Sequence, residues 1–219
     1  MTIEEKVKNF YEKVQNEYSV LVKKGGLMEN RDYYLFQTSY YHAPDLMIIG
    51  INPGGDSAEG NSWISTKNGD NMYVIGEHTW FQTIRNIFGY PHNQLLKSYF
   101  ENCVGSNKVF INTGSVKKIP NSDVLGPKLI RELVSDIIQP KHIVALGKDV
   151  FASLSNRKPQ FKTFGSVNLL YSYRDNIPIC FVCNPSKINA KFFNTKEQLA
   201  DWQRALECPG NSGNGKRIP

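Results

Sequence analysis

The chain has 219 residues, 40% of them hydrophobic and 21% charged, a balance that excludes wholesale disorder and suits one globular domain. Lys and Arg outnumber Asp and Glu by 26 to 20, leaving a net charge of +6; such an excess fits a nucleic-acid partner but decides nothing alone. No apolar run approaches the roughly 18 residues of a membrane span, and the opening MTIEEKVKNF lacks an apolar signal core. A cytoplasmic protein is therefore expected, nucleoid-associated in a bacterium, with a nuclear address left open.

Thr2 and Glu5 form a capping box, and Ile3, Val7, Phe10, Tyr11, Val14, Tyr18 and Leu21 recur at helical spacing, so residues 1–26 are expected to hold an N-terminal helix that stops at Gly25-Gly26. Asp45 to Ile51 is a continuous apolar run of strand length, the pattern of a strand buried on both faces. Residues 53–78 are rich in Gly, Asn, Asp and Ser and read as a long loop. Thr79 to Phe88 returns to helical spacing and stops at Gly89, and Lys108 to Asn112 reads as the second strand. Ser122 to Ile138 reads as a helix burying Leu129, Ile130, Leu133, Val134, Ile137 and Ile138. His142 to Leu146 reads as the third strand, with a short helix after it. Val167 to Tyr173 reads as an extra strand or hairpin arm, and Pro178 to Cys183 as the fourth core strand. Thr195 and Gln198 cap a last helix to Leu206, and residues 208–219 read as a flexible tail beyond a single domain of residues 1–207.

Strands alternating with helices imply an α/β fold, expected here as a three-layer α/β/α sandwich around a short, mainly parallel sheet. In such folds ligands sit beyond the carboxyl ends of the strands. That rule selects the loops at 52–56, 112–118 and 184–191. The first loop, Gly50-Ile51-Asn52-Pro53-Gly54-Gly55-Asp56, is neither a P-loop nor a dinucleotide fingerprint, since no G-K-[ST] and no G-x-G-x-x-G is present. Asn52 either caps its own turn or presents a polar group to a ligand. The last loop, Asn184-Pro185-Ser186-Lys187-Ile188-Asn189-Ala190-Lys191, sets one apolar residue among basic neighbours. Ile188 either tucks into the core or serves as a wedge between bases.

Cys180 and Cys183 form a C-x-x-C within a strand-like stretch. Residues three apart on a strand point to opposite faces, so neither a disulfide nor a shared metal is expected. Buried thiols in a reducing cytosol are preferred to an iron–sulfur cluster with Cys103 and Cys208. His42, His78, His92 and His142 show no paired-ligand spacing. No metal and no cofactor are expected.

The Gly-Ile-Asn-Pro-Gly after the first strand and the Asn-Pro-Ser after the fourth resemble the two signature motifs of the uracil-DNA glycosylase superfamily. The resemblance is closest to the mismatch-specific uracil/thymine-DNA glycosylase branch, and it runs from about Asp45 to Lys191. The single-strand-selective branch is similar at the first motif but has His in the second. The resemblance implies a monomeric, monofunctional DNA base-excision glycosylase that hydrolyses the N-glycosidic bond of uracil or a related damaged base. A non-catalytic DNA- or base-binding member, or a hydrolase of another nucleobase or nucleoside, is the alternative. It also implies that Asn52 positions the attacking water and that Gly50, Ile51, Pro53 and Gly54 line the base site. Asn184 would lie near the leaving base and Ser186 on phosphate. Ile188 would be the wedge, with Lys187, Asn189 and Lys191 on the DNA backbone or opposite strand. The stacking aromatic is placed at Tyr73, with Trp63 as competitor. Asn112 is placed as the base-reading residue that ends the second strand, a feature of other branches than the mismatch-specific one. Asp56 departs from the motif; it either orients water as a carboxylate or is a solvated turn residue. The 53–78 loop is longer than in compact members. Lys117, Lys118, Lys148, Lys187, Lys191 and Lys196 are expected near the same end of the sheet, in reach of phosphates.

Overall fold

A computed structural model describes residues 1–25, 33–51, 70–111, 122–184, 193 and 195–207. The chain begins with α1 (Ile3–Gly25). Its capping box is formed: Thr2 N–H donates to Glu5 Oε2 at 2.8 Å and Glu5 N–H to Thr2 Oγ1 at 3.2 Å. Then follow β1 (Met47–Gly50), α2 (Met72–Ile75), α3 (Thr79–Ile87), α4 (Gln94–Glu101), β2 (Val104–Asn107) and α5 (Ser122–Glu132). The last continues as a π-helical segment, Leu133–Ile138, and stops at Gln139 with φ of 55°. The chain proceeds through β3 (Ile143–Leu146), α6 (Lys148–Leu154), β4 (Gln160–Phe164), β5 (Val167–Arg174), β6 (Ile177–Val182) and α7 (Lys196–Glu207).

The six strands form one sheet in the order β2-β1-β3-β6-β5-β4. β2, β1, β3 and β6 run parallel, and β5 and β4 add antiparallel strands at one edge. The expectation of an α/β fold with a mainly parallel sheet agrees with this architecture. Alternation along the strands divides the core into two layers. Met47, Ile49, Ile143, Ala145 and Ile179 pack against α1, α5 and α6. Ile48, Val144, Leu146, Cys180 and Val182 pack against α2, α3, α4 and α7. All six apolar residues expected on the buried side of the helix at 122–138 are buried.

The second strand differs from expectation. The run Lys108 to Ile111 is buried, but the strand paired with β1 lies just before it, in Val104-Gly105-Ser106-Asn107. Its small and polar residues hide it from any hydropathy pattern, and tertiary packing demands them. The Cβ of any larger residue at Gly105 would collide with the Tyr73 ring. Gly105 N–H donates to Thr38 Oγ1 at 2.8 Å, and Ser106 Oγ donates to the Leu35 carbonyl at 2.6 Å. Lys108 and Val109 then donate to the Gly50 and Ile51 carbonyls, both at 2.9 Å, and Ile111 bridges to Tyr33.

α2, inside the stretch read as a loop at 53–78, is also an addition to the sequence reading, as are α4 and β4. β4 joins β5 through Gly165-Ser166, with Gly165 at φ of +54°, a backbone that favours glycine. The turn is fastened by Asp201 of α7, whose Oδ2 accepts from Ser166 N–H at 2.6 Å and Ser166 Oγ at 2.7 Å. These bonds, the Ser166 amide first, together with Arg204, hold the Asp201 carboxyl below its usual range.

Candidate active site

The order β2-β1-β3 reverses direction at β1, so the crevice beyond the carboxyl ends of β1 and β3 is the topological switch point of the sheet. Gly147, directly after β3, has φ of +110°, a conformation that strains any residue with a Cβ. A Cβ there would sit 3.6 Å from Ile51 Cδ1 and 3.7 Å from Asn184 Cβ. Ile51 of the first motif and Asn184 of the second therefore flank the same glycine, although 133 positions separate them in the sequence.

Asn184 is oriented from the helical layer. Trp80, in the first turn of α3, donates its indole N–H to Asn184 Oδ1 at 3.0 Å. An indole nitrogen only donates, so the amide must turn its oxygen to Trp80 and its Nδ2 away. Trp80 in turn packs on Tyr73, with centroids 6.1 Å apart, and edge-on against Phe81 at 5.1 Å. The α2–α3 corner beneath is fixed by Arg85, whose guanidinium donates to the carbonyls of Tyr73, Val74 and Gly76 at 2.9–3.0 Å.

Tyr73 is corrected by this geometry. Its ring is wholly buried, its hydroxyl donates to Gln37 Oε1 at 3.0 Å, and it meets Phe81 and Phe100 edge-on. Burial raises its phenol well above the usual range. With no exposed face, it supports Trp80 from below and cannot stack on a base. The helical spacing around Trp80-Phe81 marked this aromatic cluster correctly, but which ring faced outward depended on the packing of Gly105 beneath Tyr73.

A second asparagine enters the site at the end of β2. Asn107 pairs with Gly50 in register. A Cβ on Gly50 would come within 2.7 Å of Asn107 Oδ1, so glycine at this position of the first motif makes room for an amide. Asn107 is 1% exposed, and among the described residues its Nδ2 has no hydrogen-bond partner, a rare condition for a buried donor. By alternation it shares the face of Gly105, toward Tyr73 and the α3 layer. The residue that ends the second strand is thus Asn107, five positions before Asn112. The only sequence signal for it was an Asn closing a run of small residues.

Asn52, Pro53, Gly54, Asp56, Trp63, Asn112, Ser186, Lys187, Ile188, Asn189 and Lys191 lie outside the described residues, as do Lys117 and Lys118. Lys148 and Lys196 are exposed in the first turns of α6 and α7. Cys103, Cys180 and Cys183 are free thiols. Burial pushes Cys103 and Cys180 up to about 12, which makes them poor nucleophiles. Cys183, beyond the end of β6, packs against the same layer as Cys180. The expected opposite-face placement ends with the strand. Among the described residues no group of three or more His, Cys, Asp or Glu side chains gathers as a metal site.

A scan against protein-family models finds no match, and a search of curated proteins finds none either.

Proposed function

We propose that this chain is a DNA base-excision glycosylase of the uracil type, hydrolysing an N-glycosidic bond without a covalent intermediate. The observation that carries the reading is the convergence of Ile51 and Asn184 on Gly147 at the switch point of the sheet. Two motifs far apart in sequence, each resembling one signature of that superfamily, adjoin where such folds hold ligands.

The chemistry suits neutral side chains. Breaking the bond builds positive charge on the sugar and negative charge on the departing base, and uracil carries that charge tolerably. In a dry pocket, preorganised amide donors stabilise it without a strong acid. In this reading Asn184, with its oxygen held by Trp80, donates its Nδ2 to the base. Asn107 offers a second amide donor at the level of Gly50, and a base carbonyl would satisfy it. Asn52, next in sequence after Ile51, positions water on the far face of the sugar through its side-chain carbonyl. Asp56, a carboxylate, is the second candidate for that water. Ser186, Lys187 and Lys191 hold phosphates, and Ile188 fills the place of the flipped nucleotide.

The deciding experiment is incubation with oligonucleotides carrying uracil, hypoxanthine, xanthine or mismatched thymine, followed by alkaline cleavage at abasic sites. Release from one or more of these is expected. Binding without release would select the non-catalytic reading, and release only from free nucleosides would select a nucleoside hydrolase.

A further inference from the structure

The β4–β5 hairpin carries a second set of features that the crevice does not use. Between Asp149 and Asp175 the sequence holds Arg157, Lys158, Lys162 and Arg174 and no acidic residue. β4 is the outer strand of the sheet. Phe161, its second residue, is 73% exposed. It pairs with Leu170, which packs on the α1–α5–α6 layer, so its ring lies on that face but beyond the cover of the helices. A single exposed aromatic is unremarkable alone. Its setting is not: Lys162 Nζ lies 5.2 Å over the Phe164 ring, and the Arg157 guanidinium lies 5.3 Å over Tyr173. By alternation Lys162, Phe164 and Tyr173 lie on the face toward α7, opposite Phe161, so the sheet edge carries an aromatic ring on one face and cation–ring pairs on the other.

The edge also adjoins the crevice. Through the β4–β5 and β5–β6 registers, Phe161 stands level with Phe181, and the turn at Gly165-Ser166 with the end of β6 from which Asn184 extends. β4 is two strands from β6, roughly 10 Å at ordinary strand spacing. A polynucleotide held at Asn184 reaches that edge within a few nucleotides.

We propose that this hairpin is a nucleic-acid contact that binds an unpaired segment next to the crevice. Phe161 stacks on a base from the α1–α5–α6 face, Lys158 holds a flanking phosphate, and Lys162 meets the backbone from the opposite face as the nucleic-acid strand passes the sheet edge. Stacking on an aromatic ring accepts any base, and the uniform positive charge of the stretch complements the phosphate backbone. Pairing with a second copy along β4 is opposed by Lys162 at the centre of the strand, since a charged side chain on an edge discourages strand addition. The contact extends the glycosylase reading, but it is tested by binding rather than by base release.

The test is fluorescence anisotropy with a labelled, undamaged single-stranded oligonucleotide over a range of salt concentrations. Phe161→Ala is expected to weaken binding about tenfold, while Phe161→Trp retains it. The double variant Lys158→Gln/Lys162→Gln is expected to lower the slope of log affinity against log salt by about 0.7 per lysine. Since these side chains are outside the core, circular dichroism and melting temperature should stay at wild-type values. Binding within twofold of wild type for Phe161→Ala, or an unchanged salt slope for the double variant, overturns the proposal. So does a dimer of the wild-type chain that Phe161→Ala dissociates in sedimentation, which would make β4 an interface between copies. Normal uracil release with neutral hairpin variants would remove the contact and leave the glycosylase; hairpin-dependent binding without base release would keep the contact and remove the glycosylase.

Discussion

The indole N–H of Trp80 and the side-chain oxygen of Asn184 meet at 3.0 Å across 104 residues of sequence. This bond couples the helical layer to the second motif, and it makes Trp80 a positioning residue for the proposed reaction. Phe at this position keeps most of the aromatic volume and loses the donor. A partly buried oxygen left without that partner costs about 1–3 kcal/mol. Trp80→Phe should therefore slow single-turnover base release about tenfold, with circular dichroism unchanged. A wild-type rate would detach Trp80 from the site.

Asn52→Ala should leave folding and DNA binding nearly intact while removing most base release. Loss of one preorganised polar group in such a site typically lowers the rate about a hundred- to a thousandfold. Single-turnover excision measures this directly. If Asn52→Ala cleaves at the wild-type rate, Asp56→Asn becomes the variant that should not.

Asn107 gives a test in which stability and activity are expected to diverge. Among the described residues its buried Nδ2 lacks a partner, so Asn107→Leu removes an unmet donor at little cost in volume, and the melting temperature should hold or rise. Base release should nonetheless fall at least tenfold if that donor meets the base. Asn112→Leu, assayed beside it, assigns the reading of the base edge to one asparagine or the other.

For Ile188 the informative quantity is a ratio. A wedge fills the vacancy of a flipped nucleotide, which matters in a stacked duplex and little in a single strand. Ile188→Ala should therefore slow excision from duplex far more than from single-stranded substrate. A core residue behaves differently: its truncation would destabilise the fold by roughly 2–5 kcal/mol and harm both substrates alike.

The hairpin clasp at Asp201 should give stability an acid-sensitive component. Ser166 and Arg204 hold the folded-state carboxyl below its usual value. Its contribution is complete above the ordinary carboxylate value of about 4 and is lost as pH falls through the lowered folded value. Thermal melts of wild type and Asp201→Asn between pH 7 and pH 2.5 should converge toward the acid end. Parallel curves would mean that the clasp adds no pH-dependent stability.

What was legible in the sequence was whatever a local pattern can encode. The capping boxes at Thr2–Glu5 and Thr195–Gln198 are formed as read, because each closes its hydrogen bonds within one helical turn. The runs at Asp45–Ile51, His142–Leu146 and Pro178–Cys183 contain strands that pair in parallel, because burial on both faces demands continuous apolar side chains. The two motif loops were marked by composition, but their adjacency across Gly147 was not, since it arises from the order in which the strands assemble. Tertiary packing alone decided that β2 is Val104–Asn107, where Tyr73 leaves room only for glycine at position 105. It decided too that Tyr73 lies in the core while Trp80 reaches Asn184, and that Asn107 rests beside Gly50 with an unmet donor. A hydropathy pattern records which residues avoid water. It does not record which small residue a distant ring requires, and that requirement shaped this end of the sheet.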